Sequence, residues 1–328
     1  MKKSFLMVAA VAAMLVATGF TACKPNSKPK EVDIYVAGWD KSGTEDAAKV
    51  WKNGKELYDL TDGSKSATAY SVFVVGGDVY TSGYESNGTK WVAKVWKNDK
   101  ELYELTNGSN YAYAGSIFVA DDKVYTAGYD GKVAKLWKNK SATDLTDGSK
   151  DATANSVFVA GSNVYTAGND GYVVKVWKKG SEHLVLTNGS NIADAYSVFV
   201  VGEDVYTAGY ENNGTKEVAK VWKNKKEIFH TDGTKDAYAY SVYVVGDDVY
   251  VAGKEGKVAK VWKNKEELYD LADNGEAYSI VVHNGDVYVV GSETEGSNDV
   301  AKVWKNGKEL YSLADKGGAR SIFIVERR

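Results

Sequence analysis

Tyrosine gives this chain most of its chemical reach, and it recurs at fixed positions. Directly before a recurring Ser stand Tyr70, Gly115, Asn155, Tyr196, Tyr240, Tyr278 and Arg320. Two positions earlier, in the first five copies, stand Thr68, Tyr113, Thr153, Asp194 and Tyr238. After a recurring Gly stand Trp39, Tyr84, Tyr129, Asn169, Tyr210, Lys254 and Ser292. A Tyr ring offers a flat apolar surface with a hydrogen-bonding tip, which suits sugar faces and peptide surfaces alike. Asp194 is the one carboxylate placed among these rings, and Arg320 is a partner for an anion. Glycoside hydrolysis uses two carboxylates. A lone Asp194 therefore ranks a glycan-active hydrolase or lyase last among the functions these residues support.

Other reactive-looking residues read as structure. The Lys two residues before each recurring Trp (Lys49, Lys94, Lys135, Lys175, Lys220, Lys260, Lys302) shares its strand face. Its stem can lie along the indole while its amine reaches solvent or a carboxylate. His183, His230 and His283 fall at non-equivalent positions and do not assemble a metal site. No loop has the closely spaced oxygen ligands of a calcium site, and no cofactor is called for. Asn-Gly at Asn87, Asn107, Asn188 and Asn213 reads as turn chemistry, as does Asp-Gly at Asp62, Asp130, Asp147, Asp170 and Asp232.

The elements that must position these residues are repeats. Trp51, Trp96, Trp137, Trp177, Trp222, Trp262 and Trp304 each sit in the phrase (A/V)-K-(V/L)-W-K. A period near forty residues, rich in strand formers, marks a fold with one four-stranded unit per repeat. The Trp residues themselves read as packing between units. In the unit around Trp137, residues 114–120 (AGSIFVA) read as an apolar strand, residues 124–128 (VYTAG) as a second, and residues 132–138 (KVAKLWK) as a third. A fourth is clearest at 55–61 (KELYDLT). The strand typified by 71–75 (SVFVV), apolar on both faces, belongs innermost. The Lys- and Glu-bearing strand belongs outermost, where charge protects an open edge.

The ends of the repeat region point to a ring. It begins at Val32 with a second-strand sequence (VDIYVAG) and ends at Ala319 to Val325 with a first-strand sequence (ARSIFIV). The C-terminal strand should therefore pair into blade one and close an all-β, seven-bladed β-propeller of four-stranded antiparallel blades. Residues 32–328 resemble the β-propeller repeat families broadly. They lack the Gly-Gly pair of the kelch type and the Asp box of the sialidase type. They also lack the Gly-His and Trp-Asp marks of the WD type, since Lys follows all seven of these Trp residues. The repeats are similar to those of uncharacterised bacterial lipoproteins in which phrases such as VYVAG and VWKNG recur, here at 249–253 and 50–54. That resemblance implies a propeller and an envelope location, and no chemistry.

Length variation between copies is uneven. The inner-strand Ser and the Gly ending the second strand are always the same distance apart, as in Ser71 to Gly83 and Ser279 to Gly291. The stretch from that Gly to the Trp varies, as does the stretch from Trp to the next Ser. In an antiparallel meander both variable stretches emerge on one face, where binding sites are commonly built. Tyr70, Tyr113, Tyr196, Tyr238, Tyr240, Tyr278, Asp194 and Arg320 should ring one mouth of the channel, with Trp39 and Tyr84 on the rim of blades one and two. A competing role for the rings beside the Ser is packing between blades.

The first residues address the chain. Lys2 and Lys3 precede an apolar run from Phe5 to Val16, too short for a comfortable membrane span and typical of a secretory signal. Phe20-Thr21-Ala22-Cys23 resembles the bacterial lipobox, which implies lipidation of Cys23, the only Cys in the chain. Residues 1–22 then form a lipoprotein signal peptide, 23–31 a lipidated Cys with a polar tether, and 32–328 the propeller. The net charge is −3, or −5 once Lys2 and Lys3 are removed, with no basic stretch in the repeats. Nucleic acid is therefore excluded as a partner. The expected protein is a membrane-anchored, non-enzymatic binding module for a glycan or an envelope protein. An assembly scaffold is the runner-up. Outer-membrane assembly machinery includes a lipoprotein propeller, to which this chain is similar only as a lipid-anchored ring of blades.

Overall fold

The protein is described by a computed structural model that covers residues 31–41 and 43–327. The leader, Cys23 and most of the tether lie outside the described residues. Seven four-stranded antiparallel sheets are arranged as seven blades. In six of them the strand order follows the sequence. In blade two the strands are Ala67–Val75, Asp78–Ser86, Trp91–Lys97 and Lys100–Glu104, from axis to rim. Blade one is composite. Its inner strand is Gly317–Glu326, paired antiparallel with Val32–Asp40, followed by Ala47–Lys52 and Lys55–Asp59. The chain is a closed seven-bladed β-propeller, as the complementary ends require.

The recurring Trp residues are buried in every blade, between 1% and 5% exposed. Four are shown packed on the preceding blade: Trp96 joins Tyr35, Ala37 and Val50 of blade one, Trp51 joins Tyr288, Val290 and Val303 of blade seven, and Trp262 and Trp304 join blades five and six in the same way. Beside each indole the strand lysine is held by carboxylates. Lys302 meets Glu293 (2.6 Å), Glu295 (2.8 Å) and Glu309 (3.1 Å), and Lys94 meets Glu85 (2.7 Å) and Glu101 (2.8 Å). Burial alone would lower the Lys302 pKa, but its carboxylates outweigh that and raise it. These amines are occupied within the blade, which fits the structural role read from their position.

Two features of the inner strands explain why Ser and Gly recur. Each inner-strand Ser hydroxyl accepts a backbone N–H from the next blade, from Ile117 to Ser71, Val157 to Ser116, Val198 to Ser156, Val242 to Ser197, Ile280 to Ser241, Ile322 to Ser279 and Val72 to Ser321, at 3.0–3.4 Å. The bonds form a closed belt and satisfy one N–H on the otherwise unpaired inner edge of each sheet. Each contributes about 1 kcal/mol. The Gly accommodates a β-bulge. A Cβ on Gly83 would lie 1.9 Å from the Thr68 carbonyl oxygen, and the equivalent glycines are as tight. The pairing register skips one inner-strand residue in each blade: Tyr70, Gly115, Asn155, Tyr196, Tyr240, Tyr278 and Arg320. The bulge lengthens the inner strand beyond its apolar run, to Ala67–Val75 and Ala112–Ala120.

One buried position carries Thr in four blades, as Thr81, Thr126, Thr166 and Thr207, and Val in three, as Val36, Val251 and Val289. The four Thr hydroxyls are buried without a hydrogen-bond partner among the described residues. Val has nearly the same shape and leaves no polar atom unsatisfied. Replacing all four by Val should therefore raise stability by about 1 kcal/mol per site. Thermal melting checks this. A fall of several degrees would mean that the hydroxyls make bonds in solution.

Candidate functional site

The strand order decides what each face carries. On one face every hairpin is two residues long, as at 76–77, 98–99, 121–122 and 306–307. On the other face the loop after the second strand runs from 41–46 in blade one to 131–132 in blade three. The link between blades there runs from 60–66 to 315–316. All of the length variation lies on that second face, the one onto which the bulges open. The Asn-Gly and Asp-Gly sequences of this face are turns: Asn87 Oδ1 accepts the N–H of Thr89 (3.0 Å) and Lys90 (2.9 Å), and Asp62 Oδ1 accepts that of Ser64 (2.9 Å).

A bulge re-aims the residue it releases from pairing. Here the released residues from seven blades converge on the mouth of the axis and touch one another. Tyr70 contacts Tyr113 (5.2 Å between centroids), Tyr196 contacts Tyr240 (5.3 Å), and Tyr240 contacts Tyr278 (5.3 Å). The Arg320 guanidinium lies over the Tyr278 ring at 4.2 Å. Tyr113 fills the place of the side chain that Gly115 lacks, since a Cβ there would stand 2.6 Å from its ring. Tyr238 lies parallel to Tyr240, with 5.9 Å between centroids. Below the mouth a second aromatic tier follows the axis through Phe73, Phe118, Phe158, Phe199 and Tyr243, with Phe323 against Phe73.

The collar has a polar side and a cationic side. On the polar side the Tyr113 hydroxyl donates to Asn155 Oδ1 (2.5 Å). Asn155 Nδ2 donates to Asp194 Oδ1 (3.0 Å) and to the Ala195 carbonyl (2.9 Å). Burial pushes the Asp194 carboxyl up to about 7, against the pull of its bonds from the Ala195 N–H and Asn155. On the cationic side, burial pushes Tyr70 and Tyr278 up to about 12, and the charge of Arg320 acts in the opposite sense on both. Tyr196 and Tyr240 are raised further, again by burial. All of these residues keep partial exposure, so each is enclosed by protein yet reached by water.

The structure thus brings Tyr70, Tyr113, Tyr196, Tyr238, Tyr240, Tyr278, Asp194 and Arg320 to one mouth. Trp39 and Tyr84 sit further in than the rim position expected of them. Trp39 lies against Gly318 of the closing strand, and Tyr84 is 7% exposed, between Tyr70 (6.0 Å) and Trp91 (4.7 Å, stacked). They follow the bulge glycine and therefore lie beside the inner strand. The outward rings are Trp91 and Tyr111, which touch edge to face at 5.5 Å, with Lys90 Nζ 4.0 Å from the Tyr111 ring centre. Trp91 begins a third strand, and among the other copies one aromatic stands at the same place, the exposed Tyr172 of blade four, at a position that the comparison of copies in the sequence did not include.

Asp194 is not the only acid at the mouth. Glu276 is its counterpart in blade seven, one place before the bulge glycine's partner Ala277. Extending the comparison of copies past the fifth would have found it. Glu276 pairs with Lys254 and shares hydrogen bonds with Tyr240 and Tyr278. Its blade is two away from that of Asp194, with the Tyr196–Tyr240–Tyr278 rings between.

Two cavities lie away from the collar. A polar pocket of about 350 Å3 on the loop face of blade five is lined by Asn191, Glu211, Asn213, Lys220, His230 and Asp232, among others. An apolar groove of about 210 Å3 between blades five and six is lined by Ile228, Phe229, Val249, Val251, Asn264 and Lys265. In the polar pocket, Lys220 is already paired with Glu211 (3.0 Å) and Glu227 (2.9 Å), and His230 with Glu227 (2.8 Å). The mouth, by contrast, gathers rings and hydroxyls around a guanidinium that forms no ion pair among the described residues.

The fold and this collar define the chain as a closed β-propeller with one aromatic mouth. No protein family and no curated protein matches the sequence. Among solved structures the chain is similar to one in the crystal structure of a nidogen/laminin complex, at a TM-score of 0.46 and 8% identity over 90% of this chain and 98% of that one. It is also similar to the computationally designed Ika4 protein, at a TM-score of 0.34 and 19% identity over 50% of this chain and 97% of that one. Neither likeness says what this chain binds.

Proposed function

We propose that this chain is a membrane-anchored, non-enzymatic binding module whose aromatic mouth takes a glycan or an envelope protein. The observation that carries the reading is the convergence of bulged Tyr side chains on the one face where all loop variation lies. A second observation supports it. Val32 pairs with Glu326 and Asp40 with Gly317, so the first strand enters the ring at the face of short hairpins and runs toward the mouth. A chain lipidated at Cys23 would then be tethered from the face opposite the mouth, and the collar would point away from the membrane. The mouth acids also favour binding over catalysis. Asp194 and Glu276 are each engaged in hydrogen bonds or an ion pair and are separated by a wall of rings.

The test is retention on an array of glycans, peptidoglycan and envelope proteins, with a collar variant as the control. Each ring covered by a ligand contributes roughly 1–3 kcal/mol. Replacing Tyr196 and Tyr240 together by Ala should weaken binding at least tenfold, since 1.4 kcal/mol is about one decade. Both rings are half-buried, so melting of the variant is measured alongside. Loss of binding with a small change in melting supports the reading. Retention equal to that of the intact protein would place the site elsewhere. A collapse in melting would make the rings core.

A further inference from the structure

Arg320 occupies the bulge position in the closing strand, where four other blades present Tyr, Tyr, Tyr and Tyr and two present Gly and Asn. Its guanidinium lies over the Tyr278 ring, and its Nε is buried without a hydrogen-bond partner among the described residues. No carboxylate forms an ion pair with it there. The acid whose charge it feels, Glu276, is already held by Lys254. The other mouth acid, Asp194, projects from blade five, three blades away around the ring. The strand lysines of the blades, in contrast, are paired. Placing an unpaired cation among apolar rings is unfavourable unless an anion completes it.

We infer that Arg320, flanked by Tyr70 and Tyr278, is an anion subsite and that its ligand is a sugar bearing a carboxylate. The inference rests on the mouth being a ligand site and names the ligand class. The planar fork of Arg matches a carboxylate through two parallel N–H···O bonds. The neighbouring Tyr70 phenol can donate to a remaining lone pair of that carboxylate. One guanidinium balances one carboxylate. A phosphate dianion would leave excess negative charge near Glu276, so it fits less well. The Tyr196–Tyr240–Tyr278 rings offer flat surfaces for the apolar face of the pyranose. Across the mouth, Asn155 and Asp194 offer polar groups to its hydroxyls.

The test uses the intact propeller labelled with 15N, following the Arg320 Nε–H and the Tyr ring signals by NMR. Glucuronate, galacturonate, glucose, galactose and glucose 6-phosphate are added separately at millimolar concentration. The expected result is a saturable shift of the Arg320 Nε–H with the uronates and none with the neutral sugars. Arg320→Gln should weaken uronate binding at least tenfold. Because Arg320 lies in the closing strand, Tyr70→Phe serves as a second variant that keeps the ring and removes one donor. It should weaken uronates about threefold or more and leave neutral sugars unchanged. Neutral sugars that shift the Tyr signals while Arg320 stays unmoved would overturn the subsite and leave the mouth as a ligand site. Tighter binding of glucose 6-phosphate than of glucuronate would overturn the choice of a carboxylate. If no sugar moves any collar signal, the subsite falls together with the reading of the mouth.

Discussion

Removing residues 319–328 should abolish cooperative folding. The segment forms most of the inner strand of blade one, and its loss exposes the edge of Val32–Asp40 where the ring is most crowded. Ala319 and Ile322 are 0% and 4% exposed, so the deletion also removes core. Two bonds of the Ser belt disappear, from Val72 to Ser321 and from Ile322 to Ser279, and the belt is no longer closed. Phe323 no longer meets Phe73 (4.8 Å). The Arg327 clasp on Glu31 (2.6 Å) and Asp33 (2.7 Å) is also lost. Apart from the exposed Arg327 clasp, each of these costs one to a few kcal/mol, and together they rival the total stability of a typical domain, about 5–15 kcal/mol. The expected measurement is a broad, probe-dependent melt with aggregation through the open edge. A truncated chain that melts sharply within a few degrees of the full one would show that the ring does not depend on its last strand.

Asp194→Asn should remove a pH-dependent cost that the native chain carries. The carboxyl is held near 7 in the folded state, against an ordinary value of 3.8, with burial as the leading cause. Between about pH 4 and pH 7 the folded chain keeps a proton that the unfolded chain has released. Stability therefore declines as pH rises through that window, and the full cost is present above it. Three pH units at 1.4 kcal/mol each give up to about 4 kcal/mol, less where water in the mouth screens the charge. Asn cannot ionise and keeps the Oδ1 that accepts from Asn155 and the Ala195 N–H. The variant should match the native chain at pH 4 and exceed it at pH 8 by most of that amount. Urea unfolding at pH 4, 6 and 8 is the measurement. A gap that stays constant across pH would mean that Asp194 is ionised and well solvated.

Much of the architecture was legible because it is written in local, repeated terms. The Trp phrase sets the period. Alternation and turn residues set the strands. The complementary ends require closure. Comparison of copies separates a constant hairpin face from a variable loop face. The position of the bulge residues was legible too, since the Ser-to-Gly spacing never changes. Why that spacing is constant was not. A Gly reads as a turn or a close approach, and only the pairing register shows that its missing Cβ makes room for a bulge. The Ser belt was equally hidden, because its bonds join residues 39–46 positions apart, and 249 apart at the closure, whose alignment depends on how adjacent blades are staggered.

The sequence alone determined the ring, its closure and the residue types gathered on its variable face, because periodicity and strand register are properties of neighbouring residues. The tertiary structure decided which of those residues form the site. It placed Tyr113 in the space that Gly115 leaves, drew Tyr84 under Trp91 and left Arg320 without a carboxylate partner among the described residues. Each of these outcomes depends on how side chains settle against one another, within a blade or across the axis. No local pattern encodes such meetings, since they are set by the packing of seven separate sheets.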